Sequence, residues 1–443
     1  MSSNPSTPLA GSHYQVAIVG AGQAGLSMSY LLKQRGITHV VLEKQRVAHA
    51  WRDERWDTFC LVTPNWQCTL PGFSYDGDDP EGFMVKDQIV DYVERYRAHF
   101  QPPLYEGVAV EALRRDAAGL YRLQTSAGSV SAEQVVVATG SYHLPVLPAV
   151  AADLPPTIRQ MHSVEYMNPQ SLPEGDVMVV GTGQSGCQIA EDLHLAGRRV
   201  HLCVGPAPRV ARRYRGRDVV EWLDRMGYYD LPVDQHPLGT GVREKTNHYV
   251  TGRDGGRDID LRQFALEGMQ LYGRFDTVVD GIAHFDDSLA ANLDAADAVS
   301  ESIKTSIDQY IAAQSIDAPS EARYTPVWAP ATAPQALPLD ASGITSIVWC
   351  IGFRTDFSWI DQPIFDARGY PEHDRGITAA PGLYFLGLPW QYSWGSGRFS
   401  GVARDAEHLA QAIDARIAAA AGTAAAPATL GTLGVMTSES TLA

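Results

Sequence analysis

Two copies of the pattern Gly-x-Gly-x-x-Gly, about 160 residues apart, constrain this 443-residue chain more than any other feature. The first reads Gly20-Ala21-Gly22-Gln23-Ala24-Gly25 and the second Gly181-Thr182-Gly183-Gln184-Ser185-Gly186. Each follows an apolar run of strand character, Val16 to Val19 and Val177 to Val180. Each also opens a helical pattern, Leu26 to Arg35 and Cys187 to Ala196. The first glycine permits a tight turn, the second lets backbone N–H groups approach a pyrophosphate, and the third lets helix lie close on strand. The positive end of the helix dipole then faces the anion. One such pattern alone is weak evidence. Two of them in strand–turn–helix context predict two Rossmann-like units, each taking a dinucleotide.

A length of 443 residues exceeds the roughly 250–300 at which single cores stop growing. The expected fold class is therefore α/β, with two Rossmann-like dinucleotide-binding domains, the second inserted in the first. Residues 1–13 read as a flexible lead. Residues 14–165 plus 340–420 form the first domain, and 166–339 form the second, with an insertion whose packing the sequence does not assign. Residues 421–443 read as a disordered tail. Further strands are expected at Val40 to Glu43, Tyr121 to Thr125, Gln134 to Ala138, Val200 to Val204, Ile347 to Ile351 and Leu383 to Leu386. A last helix is expected from Val402 to about Ile417.

Composition excludes several classes of function. A net charge of −16 disfavours nucleic acid as a partner. No leader pattern and no apolar run long enough for a membrane span is found, so the chain reads as cytoplasmic and free of membrane partners. The five cysteines form no metal-type pair and no CxxC dithiol, so no metal site is expected and disulfide reduction is disfavoured.

Charge placement separates the two nucleotides. Glu43, with Lys44 beside it, lies 18 residues after Gly25, close to the offset at which a carboxylate accepts hydrogen bonds from ribose hydroxyls. The same offset after Gly186 falls on Val204, with Arg209, Arg212 and Arg213 shortly beyond. A 2′-phosphate would be repelled by a carboxylate and held by guanidiniums. The first site is therefore assigned a non-phosphorylated adenosine half and the second NADPH.

A flavin enters by resemblance. Val135-Val136-Val137-Ala138-Thr139-Gly140 and Gly382-Leu383-Tyr384-Phe385-Leu386-Gly387 resemble recurring segments of two-dinucleotide-binding flavoproteins. Trp51-Arg52-Asp53-Glu54-Arg55-Trp56-Asp57, Leu61-Val62-Thr63-Pro64 and Leu70-Pro71-Gly72 are similar to a stretch of the class B flavin monooxygenases. That class holds the flavin-containing monooxygenases, the Baeyer–Villiger enzymes and an indole-pyruvate monooxygenase-like branch. Of its interdomain fingerprint FxGxxxHxxxY/F, His162 and Tyr166 are present, whereas Pro156 and Ile158 replace the Phe and Gly.

The resemblance implies FAD held through Gly20, Gly22, Gln23, Ala24, Gly25, Glu43 and Lys44. Trp51, Arg52, Thr63, Ala138, Thr139, Gly140 and Gly387 would lie along it. NADPH would use Gly181, Gly183, Gln184, Ser185, Gly186 and the three arginines. Asn65 is the catalytic candidate, an amide expected beside flavin C4a, and Trp390, Tyr392 and Trp394 are candidates for a substrate roof. The implied enzyme is an FAD- and NADPH-dependent monooxygenase that forms a C4a-(hydro)peroxyflavin. Its partners are O₂ and a small organic substrate, with N/S-oxygenation and Baeyer–Villiger or decarboxylative chemistry both open. The alternatives are an NADPH-dependent flavoprotein reductase or an NADPH oxidase without oxygen insertion. A homodimer is common among such enzymes, and nothing in the sequence demonstrates one.

Overall fold

The computed structural model describes residues 8–424. Two sheets carry the chain, and their parallel strands repeat one plan. In the first sheet the parallel order is Leu383–Phe385, Gly128–Val137, His13–Val19, His39–Glu43, Leu104–Glu106. In the second it is Arg159–His162, Ile344–Trp349, Asp176–Val180, Val200–Cys203, Gln270–Tyr272. The strands are buried on both faces, as parallel sheets require. Side-chain alternation sends Val16 and Ile18 into one core cluster and Ala17 and Val19 into another. Val177 and Val179 are likewise separated from Met178 and Val180.

Each unit also has a three-stranded antiparallel meander. In the first unit, Val110–Arg115 and Tyr121–Thr125 feed Gly128–Val137. In the second, Phe275–Val279, Ile282–Phe285 and Ala336–Pro338 precede Ile344–Trp349. This comparison accounts for much of residues 215–340. The remaining large element is the helix Leu289–Ala313, inserted between two meander strands. Its buried stripe Leu293, Ala296, Ser300, Lys304, Ile307 and Ile311 has helical spacing. Its first half covers the second unit's core, while Ile307 and Ile311 pack with Tyr214, Val219 and Trp222.

Several expected boundaries move. Arg159–His162 and Ile344–Trp349 were expected in the first domain and pair within the second sheet. The lead is shorter than 1–13, because Leu9 is buried and the Gly11 N–H donates to Ser129 O at 2.8 Å. The closing helix runs Val402–Ala424, beyond Ile417, because its inner face (Val402, Ala406, Leu409, Ala410, Ile413) packs on the first unit's core. The rest of the expected tail, and residues 1–7, lie outside the described residues.

Several contacts tie the units together. Leu144–Pro145 and Phe353–Arg354 pair as an antiparallel ribbon where the chain crosses between the sheets. Asp192, on the second unit's first helix, is buried and accepts from Thr58 Oγ1 (2.6 Å), Arg253 Nη1 (2.7 Å) and the Tyr166 hydroxyl (2.6 Å). Trp56, two residues before Thr58, is buried in the second unit's core. Replacing Asp192 by Ala leaves the buried Tyr166 hydroxyl and the half-buried Arg253 without their acceptor, a loss of about 3 kcal/mol. The thermal midpoint of Asp192→Ala is expected to fall by roughly 3 °C, measured by scanning fluorimetry. Tyr166→Phe, which removes one donor, should cost less.

Candidate active site

The two glycine-rich turns are built alike. Gly20 and Gly181 have φ of 104° and 105°, and a Cβ on them would stand 2.6 Å from Ala138 O and 2.7 Å from Cys350 O. A Cβ on Gly25 would run into Gly20 O, and one on Gly186 into Gly181 O. These outer glycines are the packing positions. The middle ones differ: Gly22 has open space around its Cβ direction, and Gly183 meets only Thr246 Cγ2, at 3.7 Å. The helices that follow, Gln23–Gln34 and Gln184–Leu195, carry no side-chain cap and no acidic residue in the first turn. Their free N–H groups and dipoles therefore face the open side. A pyrophosphate fits both cradles.

Both turns open on one cavity of about 2290 Å³. Its wall includes Gly20, Gly22, Gln23, Ala24, Glu43, Lys44, Trp51, Thr63, Ala138, Thr139, Gly140 and Gly387 from the first group of expected residues. From the second it includes Gly181, Gly183, Gln184 and Ser185. Glu43 Oε2 accepts from Ala21 N (2.7 Å) and Oε1 from Gln45 N (2.8 Å), so the carboxylate holds the turn and keeps lone pairs for ribose hydroxyls. Gln23 Nε2 donates to Gly397 O at 2.8 Å, binding the turn to the closing segment. Trp390 and Trp394 line the cavity, whereas Tyr392 does not and lies under Arg375, whose guanidinium is 3.7 Å from the ring centroid.

Five expected residues are placed elsewhere, each for a visible reason. Asn65 is buried off the cavity. Its Nδ2 donates to Asp79 O (2.9 Å) and its Oδ1 accepts from Met84 N (2.7 Å), so the amide fastens its own loop. Arg52 turns away to Glu94 at 3.0 Å. Arg209 is buried against Asp297 at 2.6 Å, with its guanidinium 4.1 Å from the Tyr324 ring centroid. Arg212 is buried with Asp218 and donates Nη1 to Val62 O at 2.8 Å, which ties the two units. Arg213 is exposed and touches only Gly255 O. None of the three arginines lines the cavity, so the expected 2′-phosphate site is not there.

Other cavity residues went unnoticed in the sequence. Arg55 and Arg398 face it, as do Arg243, Lys245, Arg274 and Asn247. His162, part of the interdomain fingerprint, donates Nε2–H to Gly352 O (3.0 Å) and packs edge-on against Phe353. Gly352 has the positive φ, 92°, that its turn requires. All five cysteines are buried and free, and burial pushes Cys60 up to about 11 and Cys68 up to about 12. Their thiols stay protonated, so disulfide exchange lacks a ready thiolate. Among the described residues no cluster suited to a metal ion occurs, and no helix is long and apolar enough to cross a membrane.

Two glycine-rich cradles on one cavity are the architecture of a two-dinucleotide-binding fold. A family model described as pyridine nucleotide-disulphide oxidoreductase matches residues 17–224. The chain is 32% identical to an uncharacterized CzcO-like oxidoreductase of Geobacillus kaustophilus, over 89% of this chain and 96% of that one. It therefore belongs to the CzcO-like oxidoreductase family. A probable indole-3-pyruvate monooxygenase of Arabidopsis thaliana is 31% identical over 44% of this chain and 48% of its own length. The fold matches a flavin-containing monooxygenase from Stenotrophomonas maltophilia at TM-score 0.63 and 18% identity, over 92% of this chain and 99% of that one.

Two outcomes follow from this geometry. Gly25→Ala should abolish FAD retention, and Gly186→Ala should spare bound flavin but weaken NADP⁺ binding by at least about tenfold, read by absorbance and titration calorimetry. His373, on the cavity wall, is pushed down to about 4 from 6.5, chiefly by burial and then by Arg243. The unfolded chain takes that proton near pH 6.5 and the folded chain only near 4, so stability falls as pH drops through this window. His373→Gln should flatten that part of the profile in denaturant titrations.

Proposed function

We propose that the protein is an FAD-dependent, NADPH-using monooxygenase that oxygenates a small organic substrate. The observation carrying this reading is that both cradles open on one cavity, so a reductant held at the second turn and a flavin held at the first share a single cleft. When bound, reduced FAD supplies the electrons that activate O₂ for transfer of one oxygen atom.

The chain's own work is placement and exclusion. The N–H groups after Gly22 and Gly183 hold the two pyrophosphates, and Glu43 holds an adenosine ribose. Trp51 stacks on Phe399 (centroids 5.7 Å apart), and Trp390 and Trp394 also line the cavity, aromatic surface that helps keep water from the reacting centre. The ribbon of Leu144–Pro145 and Phe353–Arg354, fixed by the His162 contact to Gly352 O, holds the second unit over the first.

The cation for the 2′-phosphate is Arg274. It follows the strand Gln270–Tyr272, neighbour to Val200–Cys203, and lines the cavity with Gly205 and Pro206, where an adenosine ribose would end. No ion pair engages its guanidinium among the described residues, which leaves it free for a phosphate. Arg274→Glu should therefore move coenzyme preference toward NADH by about tenfold or more in kcat/KM.

The reaction itself is tested by incubating the FAD-loaded enzyme with NADPH under ¹⁸O₂ and a panel of amines, sulfides, ketones and 2-oxo acids. One ¹⁸O atom in a product, with less hydrogen peroxide than NADPH consumed, is the expected result. Stoichiometric peroxide and no labelled product with any member would make the protein an oxidase or reductase instead.

A further inference from the structure

The middle glycine of each turn is followed by a glutamine that reaches out to another loop. Gln23 Nε2 donates to Gly397 O (2.8 Å), and Gln184 Nε2 donates to Val250 O. The two loops meet in turn, because Arg398 donates one Nη to Asn247 Oδ1 at 3.1 Å. Residues 228–250 make this joint. They leave the second unit, cross onto the first and return. On the outward leg Tyr229 packs on Trp394 (ring centroids 4.4 Å apart), the Val233 N–H donates to Tyr392 O (2.6 Å), and His236 meets Trp390 edge-on at 5.1 Å. On the return leg Arg243 Nε donates to Trp390 O (3.2 Å). Tyr249 then lies back in the second unit's core, its N–H on Pro208 O at 2.9 Å.

Between those anchors, residues 243–247 line the cavity. Thr246 faces the second turn. A Cβ on Gly183 would lie 3.7 Å from Thr246 Cγ2, whereas one on Gly22 would have nothing within 4 Å. The middle glycine is where backbone N–H groups approach a pyrophosphate, so the second cradle, unlike the first, has a side chain opposite it. Lys245, next to Thr246, is exposed and enters no ion pair among the described residues; its neighbour Glu244 is taken by Arg368. A pyrophosphate on the second turn would meet N–H groups and a helix dipole on one side, and an ammonium and a hydroxyl on the other.

We propose that Lys245 and Thr246 form a second wall of the coenzyme pyrophosphate site, and that Asn247, through Arg398, passes its occupancy to the flavin side. This rests on the NADPH reading and adds to it residues that lie outside both glycine motifs. The flavin's pyrophosphate has the same chemistry. The coenzyme's is favoured because Thr246 stands at Gly183 and away from Gly22, and because Gln184, the next residue after Gly183, holds the same segment at Val250. The link onward is short: Asn247 to Arg398, then Gly397, which Gln23 of the first turn binds.

The test uses the FAD-loaded enzyme with NADP⁺ and with adenosine 2′,5′-bisphosphate, which carries the 2′-phosphate but no pyrophosphate. Lys245→Gln should raise the Kd of NADP⁺ by about tenfold or more in titration calorimetry, with Lys245→Arg close to the unmodified enzyme. The Kd of the bisphosphate should move less than about threefold. Saturating NADP⁺ should slow trypsin cleavage between Lys245 and Thr246 by at least about tenfold, and the bisphosphate should not. Asn247→Leu should remove at least about half of the change that NADP⁺ causes in the flavin spectrum. Should Lys245→Gln fail to fold, the trypsin comparison on the unmodified enzyme decides. Unchanged NADP⁺ affinity in Lys245→Gln, with cleavage unprotected, overturns the proposal and leaves the coenzyme reading standing. Loss of flavin with NADP⁺ affinity intact also overturns it, by placing Lys245 on the flavin's pyrophosphate. A full spectral response in Asn247→Leu overturns the link to the flavin. An unmodified enzyme that binds no NADP⁺ sinks both the proposal and the coenzyme reading.

Discussion

The close approach of helix to strand at Gly25 and Gly186 is the constraint on which the rest of the molecule depends. No other residue fits there, because a Cβ would enter the carbonyl oxygen of the first glycine in the same turn. That approach aims two helix N-termini at one cavity with their N–H groups uncapped. It also requires a later strand to end against each turn. Gly128–Val137 ends at Ala138 beside Gly20, and Ile344–Trp349 ends at Cys350 beside Gly181. The same contact made twice explains why the second unit repeats the first down to its meander.

Much of this plan was legible in the sequence because it is written locally. Apolar runs gave the central strands to within a few residues, Tyr121–Thr125 without error, and the glycine patterns placed both turns. Glu43 could be found from its offset alone. Strand partnership was less accessible. Ile344–Trp349 is a short buried apolar strand that either sheet could take, and only its pairing with Asp176–Val180 and Arg159–His162 settles the matter.

Side-chain direction was the larger loss. Arg209, Arg212 and Arg213 looked like a phosphate clamp because position in sequence says nothing about the acids waiting in space: Asp297 comes from a helix nearly ninety residues on. Asn65 failed for a related reason. The loop that carries it has backbone groups of its own to satisfy, and the nearest amide does so. Arg55 and Arg398 passed unseen because no motif encodes which side chains reach the cavity wall.

The central claim is that one cavity takes two dinucleotides at once, each seated on its own turn. Native mass spectrometry of the protein with FAD and NADP⁺ both in excess tests it most directly. A single chain carrying one of each is the expected species. Mutually exclusive binding, in which either nucleotide displaces the other, or a chain that never holds more than one, would contradict the account.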